Sequence, residues 1–191
     1  MKHLLLFVWL FIIATTLGSG CKKNKLSELD KLPPETQTGA NTFGCLINGQ
    51  TFIPGGLQLS GGSLNCVYQY IYNGTSDGYF FGLNAGRKGN NCEVKSVGIR
   101  LDSMIIQEGF SYPLTLEKRG NGNGQYFIIN VPCGTQNTGY YTNSSIQGSI
   151  HFKRFDLNNQ IASGTFWFNA VNSNNDTIKI TEGRFDVKFT R

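Results

Sequence analysis

From Phe43 onward the chain reads as short runs of aromatic and β-branched residues, broken every few positions by Gly, Asn and Ser. No stretch carries a sustained helical period. That pattern specifies strands joined by tight turns. Strands are expected over 44–48, 51–53, 56–59, 64–72, 79–84, 93–101, 112–116, 125–131, 145–155, 161–171 and 177–189. Asn48-Gly49, Asn73-Gly74, Asn121-Gly122 and Asn123-Gly124 supply the positive φ that tight turns require. Polar tetrads at 157–160 and 173–176 separate the last three strands, which reads as a meander. In the last strand Ile178 and Ile180 have one parity and Phe185, Val187 and Phe189 the other, so a β-bulge is expected at Gly183. The strand from Ser145 slips in the same way between Phe152 and Phe155. Paired slips on neighbouring strands point to a sheet coiled tightly over a core faced by Ala162, Gly164, Phe166, Phe168 and Ala170. The expected fold is all-β, an antiparallel β-sandwich or flattened barrel ending in a three-strand meander.

The N-terminus has a different character. Lys2 precedes an apolar run of 14 residues from Leu4 to Leu17, followed by Gly18-Ser19-Gly20-Cys21. This run is too short for a membrane span of about 20 residues but suits an export signal. The small residues before Cys21 resemble the bacterial lipobox, although Leu17 stands one place earlier than the usual leucine. Residues 1–20 are therefore expected to be removed as a lipoprotein signal peptide, leaving Cys21 acylated as the membrane anchor. Residues 21–42 are polar and contain Pro33-Pro34, which reads as a flexible tether able to extend about 70 Å. Residues 43–191 make one domain.

Removing Lys2 lowers the formal charge of the chain from +5 to +4. The basic residues are scattered, which argues against a nucleic-acid partner, since phosphate contacts need them gathered on one face. With Cys21 assigned to lipid, Cys45, Cys66, Cys92 and Cys133 remain as an even set in an oxidising compartment, and two disulfides of undetermined pairing are expected. No C-x-x-C spacing occurs and His151 is the only histidine beyond the signal, so neither a metal site nor a cofactor is expected.

The stretches TGANTFGCLINGQTFIP (38–54) and ASGTFWFNAVNSNNDTIKITEGRFDVKF (162–189) resemble a domain-of-unknown-function family of small β-rich envelope lipoproteins abundant in Bacteroidota. The resemblance covers both ends of the domain and implies an anchored, all-β protein with no catalytic residues. Surface-displayed lipoproteins of that phylum often carry acidic residues after the acylated cysteine. Here Lys22-Lys23-Asn24-Lys25 follow, which implies the periplasmic face, with the outer membrane favoured over the inner.

Chemistry-bearing constellations are sparse. His151 would have to serve any Ser-His-Asp triad, yet no G-x-S-x-G elbow is present. Glu182 and Asp186 are four apart, but the expected bulge sends them to opposite faces. The glycine-rich 120–124 run precedes no helix and reads as a hairpin tip rather than a phosphate cradle. Trp167, of opposite parity to Phe166 and Phe168, and Tyr140-Tyr141, in an apparent polar loop, are the candidate binding aromatics. The expectation is a non-enzymatic binding protein with a saccharide or protein partner. The alternatives are a structural or adhesion subunit of an envelope assembly and, third, a carbohydrate-active enzyme.

Overall fold

A computed structural model describes residues 26–56, 62–72, 77–89, 93–130 and 137–191. Among the described residues eleven strands follow a 3-10 turn at Leu29–Lys31: β1 Thr42–Ile47, β2 Gln50–Phe52, β3 Leu64–Ile71, β4 Gly78–Lys88, β5 Glu93–Asp102, β6 Ser111–Leu114, β7 Gly122–Asn130, β8 Thr138–Tyr141, β9 Gly148–Asp156, β10 Ile161–Val171 and β11 Thr177–Lys188. All belong to one sheet in the order β2-β1-β11-β10-β9-β6-β7-β5-β4-β3, and β8 pairs with both β7 and β10. The sheet folds over on itself, so that β6, β7, β8, β10 and β9 close a ring. Bridges between Gly55 and Arg87 and between Val67 and Thr190 tie its outer strands together. Every ladder is antiparallel except the short contact of β6 with β7 at Leu114 and Gly122. The result is the expected sandwich drawn into a flattened barrel, closed by the meander β9-β10-β11.

Rings from the two layers meet inside. Phe81 of β4 stands edge-on to Phe152 of β9 at 5.2 Å, and Tyr68 of β3 meets Phe155 at 4.9 Å and Phe189 at 5.9 Å. Ala162, Gly164, Phe166, Phe168 and Ala170 all face this core. Asn48 and Gly49, both at positive φ, turn β1 into β2 as a two-residue hairpin. A bulge in β11 is also present, but at Thr181-Glu182 rather than at the expected Gly183, which is itself regularly paired. Gly183 pairs with Phe166 and Ile180 with Phe168, so three steps on β11 match two on β10, with Glu182 at φ +52°. In β9 the extra residue is Lys153, between Phe152 opposite Gly164 and Arg154 opposite Ser163.

Several expectations are corrected. Tyr140 and Tyr141 lie in strand β8 rather than in a loop, because β8 fills the gap between β7 and β10. Asn123-Gly124 is no turn. It sits inside β7, where Gly124 faces the Phe168 ring so closely that a Cβ would lie 2.7 Å from it. The Asn123 amide accepts from Gln125 Nε2 at 2.6 Å, and Thr142 Oγ1 accepts from Gly124 N at 3.0 Å, which satisfies these buried polar groups at the ring junction. Gly56 belongs to no strand, while 57–59 and Asn73-Gly74 lie outside the described residues.

Cys45 and Cys66 are free thiols buried in the core cluster, and the expectation that they join disulfides is corrected. Each occupies an inward position of a strand and packs as a small apolar side chain. Burial pushes both thiols well above their ordinary range. Cys92, Cys133 and the lipidation candidate Cys21 lie outside the described residues.

The expectation of a flexible tether is corrected for residues 26–42, which form a strap bound to the domain. Glu28 accepts hydrogen bonds from Thr51 N at 2.9 Å and Thr51 Oγ1 at 2.6 Å and pairs with Lys31. The bonds from Lys31 and Thr51 hold its carboxyl far below the ordinary 4.5, at about 2. Leu32 is buried, and Pro33 lies so close to β1 that a Cβ on Gly44 would stand 2.6 Å from Pro33 Cδ. Asp186 then clasps the strap. Its Oδ2 accepts from Thr36 Oγ1 (2.6 Å), Thr38 N (2.9 Å), Thr38 Oγ1 (3.3 Å) and Ala40 N (3.2 Å), and its Oδ1 from Gly39 N (2.7 Å).

Candidate functional site

The outward face of the meander is built by strand parity. Antiparallel register sets Ser111 of β6 opposite His151 of β9, His151 opposite Thr165 of β10, and Thr165 opposite Arg184 of β11. Four polar side chains thus form a row across four strands. The next row carries Ser149 and Trp167, which pair across β9 and β10. On its other side Trp167 faces the bulge, where two residues, Thr181 and Glu182, stand against one. A bulge of this kind bends its strand and re-aims side chains. Here the consequence is a groove of about 480 Å³ lined by these residues together with Glu35 of the strap. Trp167 is 49% exposed within it.

Close approach of backbone makes the floor possible. At Gly164, beside the β9 bulge, a Cβ would lie 1.8 Å from the His151 carbonyl oxygen, so no side chain fits beneath the row. The strap supplies the wall: Glu35 pairs with Lys153, and Arg154 Nη1 donates to the Gln37 carbonyl at 2.6 Å.

Ser111 Oγ and His151 Nδ1 are hydrogen-bonded at 3.0 Å. Among the described residues no carboxylate is bonded to His151, so the pair lacks the acidic member of a triad. Arg184 Nη1 reaches the Pro33 carbonyl at 3.4 Å, and its Nη2 stands 3.9 Å from Glu182. Its buried Nε has no hydrogen-bond partner among the described residues. Among the described residues no group of three or more His, Cys, Asp or Glu side chains gathers that could hold a metal ion.

No family model, curated protein or solved structure matches the chain.

Of the three candidate aromatics only Trp167 lines this groove. Tyr140 packs against the core with its ring 5.8 Å from Tyr126, and Tyr141 stands edge-on to Phe127 at 5.5 Å, both on β8. Glu182 and Asp186 part as expected, the first exposed and the second buried. Sequence reading did not single out Glu35, Ser111 or Arg184. Glu35 sits in a segment without periodicity, and Ser111 is a short hydroxyl in a four-residue strand. Arg184 stands two residues beyond the bulge, a position whose orientation depends on where the extra residue falls.

A second surface depression, of about 680 Å³, lies beside β3 and is lined by Tyr68, Tyr70, Tyr79, Ile105, Leu157 and Arg191 among others. Tyr68 and Tyr79 stack in it at 5.0 Å, and Tyr70 meets Tyr79 edge-on at 5.3 Å.

Proposed function

We propose that this chain is a lipid-anchored protein of the bacterial cell envelope that binds a saccharide without transforming it, in the groove around Trp167. The observation that carries this reading is a half-exposed indole set among hydroxyl, imidazole, carboxylate and guanidinium groups in one open groove. A sugar ring has an apolar C–H face and a rim of hydroxyls. The first suits an aromatic platform, and the second suits polar lining groups such as Ser149, Thr165 and Glu182. The Ser111–His151 bond without an acidic partner, and carboxylates set at the rim, favour recognition over catalysis. The signal and lipobox pattern at 1–21 supports the envelope location, with the outer membrane and its periplasmic face favoured.

Fluorescence tests the groove directly. The sequence contains two tryptophans, and Trp9 lies in the signal, so Trp167 is the sole indole of the processed chain. Titration with a panel of soluble neutral oligosaccharides (glucan, mannan and xylan fragments) is expected to shift and quench its emission saturably with at least one of them. A panel that leaves the emission unchanged, with the protein folded, would refute saccharide binding at this site.

The second reading is a structural or adhesion subunit. The observation that favours it is the tyrosine-lined depression beside the terminal strand β3, where a protein partner would find both aromatic rings and the stretch of sheet edge beyond the bridge to Thr190.

A further inference from the structure

We infer that Leu26, Leu29 and Ile53, together with Lys31, form the surface by which the domain seats itself on the phospholipid bilayer that holds its anchor. This rests on the proposed acylation of Cys21. Leu26 is 67% exposed, Leu29 45% and Ile53 38%, although Leu32 of the same strap turns inward and is buried. Single exposed leucines are ordinary on protein surfaces. These residues are distinguished by where they lie. Glu28 fixes the start of the strap to Thr51, whose N–H bonds its carboxylate and whose hydroxyl lies within hydrogen-bond distance of its carboxylate and its carbonyl, and Ile53 lies two residues beyond Thr51. The three side chains are therefore carried by one clamped corner rather than scattered over the molecule.

Chain length brings that corner to the membrane. Four residues separate Cys21 from Leu26, and even fully extended such a segment spans only about 17 Å. An acylated Cys21 sits at the boundary between headgroups and hydrocarbon, so Leu26 cannot lie farther than this from it. A strap clasped by Asp186 and Thr51 cannot pay out more chain. Charge agrees with this placement, since Lys22, Lys23 and Lys25 precede the corner in sequence and Lys31 follows within it. Against these four lysines stand Glu28, which pairs with Lys31, and Asp30, which Ser27 hydrogen-bonds, so the net charge of residues 22–31 is 4 minus 2, or +2. A net-positive segment that carries exposed leucines fits a bilayer interface that contains anionic phospholipid.

Hydroxyl-radical footprinting of the acylated mature protein, on vesicles of phosphatidylethanolamine and phosphatidylglycerol, tests this. The comparison is the Cys21→Ser protein free in solution, and the intact mass of the anchored sample reports the acyl chains. Oxidation of Leu26, Leu29 and Ile53 is expected to fall at least about threefold on the vesicles, as side chains set into the interface lose contact with water, while Trp167 and Tyr70 stay accessible. If the mass shows acylation and the three residues oxidise as fast as in solution, the seat is overturned while the anchor stands. Protection of Tyr70 and Ile105 instead would put a different face on the bilayer and also overturn it. A mass without acyl chains would overturn the anchor and the seat together.

Discussion

Replacing Asp186 should release the strap. The carboxylate is 1% exposed and accepts five hydrogen bonds from Thr36, Thr38, Gly39 and Ala40, three of them from backbone N–H groups. Asp186→Ala leaves those three donors without an acceptor, at about 1–3 kcal/mol each if they stay buried. The strap limits that cost by detaching into water, which instead forfeits the burial of Leu32, worth about 1.5–3 kcal/mol, and the Glu28–Thr51 bonds. A net loss of about 3–4 kcal/mol is expected, near the upper end for single substitutions. For a chain of this size it corresponds to a fall in Tm of about 6–16 °C. Asp186→Asn should cost nearly as much, because the amide nitrogen would face donors where Oδ2 now accepts. Acid should mimic both changes. Burial raises the carboxyl, but the bonds from Thr36, Thr38, Gly39 and Ala40 outweigh it and leave the folded value below the ordinary one. The stabilisation is therefore present in full above the unfolded value of about 4, and is lost as pH falls through the lower folded value. Calorimetry paired with amide hydrogen exchange at 38–40 is the assay. A Tm within about 1 °C of the parent for both variants, with exchange at those amides unchanged, would refute the clasp.

Gly44→Ala should lift Pro33 from β1 and cost about 1–3 kcal/mol, read as a lower denaturation midpoint, whereas Gly49→Ala meets no atoms and strains only the turn. Cys45 and Cys66 should resist alkylation in the native protein at pH 8 and react once it is unfolded; mass spectrometry of both samples counts them. Trp167→Ala should abolish the fluorescence response and oligosaccharide binding while moving stability by no more than about 0.5 kcal/mol by denaturant titration, because the ring is half exposed. Ser163→Ala should be neutral or stabilising by up to about 1 kcal/mol in the same titration, since the buried Ser163 hydroxyl has no hydrogen-bond partner among the described residues to lose.

What could be read from the chain beforehand is what parity and turn chemistry encode. Phe166, Phe168 and Ala170 alternate with Trp167 and Asn169, so the inward and outward faces of β10 are written in the order of residues. The Asn48-Gly49 hairpin and the polar tetrads of the meander are local, and a local rule finds them. Strand β8 escaped because Tyr140-Tyr141 lie in a short polar segment that gains its strand character only by pairing with both β7 and β10. The strap escaped for the same reason. Its residues are polar, and its partners lie nearly 150 positions away, as with Gly39 and Asp186. A carboxylate that gathers backbone N–H groups leaves no periodic trace in the segment it gathers.

The groove stands between these two cases. The slip of alternation between Glu182 and Arg184 is visible in the sequence and announces a bulge, but it does not say what the bulge is for. In the fold the extra residue falls opposite Trp167, so β11 bends where the neighbouring strand presents its one half-exposed indole. Glu182 at φ +52° is an unfavourable conformation for a residue with a side chain, and a glycine there would relieve it. A purely architectural bulge would use the carboxylate only for its long, exposed pair with Arg184 at 3.9 Å, worth little, whereas a binding groove would present it to a ligand. Glu182→Gly therefore separates the two roles: the sheet should hold or gain stability in either case, and oligosaccharide affinity should fall only if the groove is the binding site.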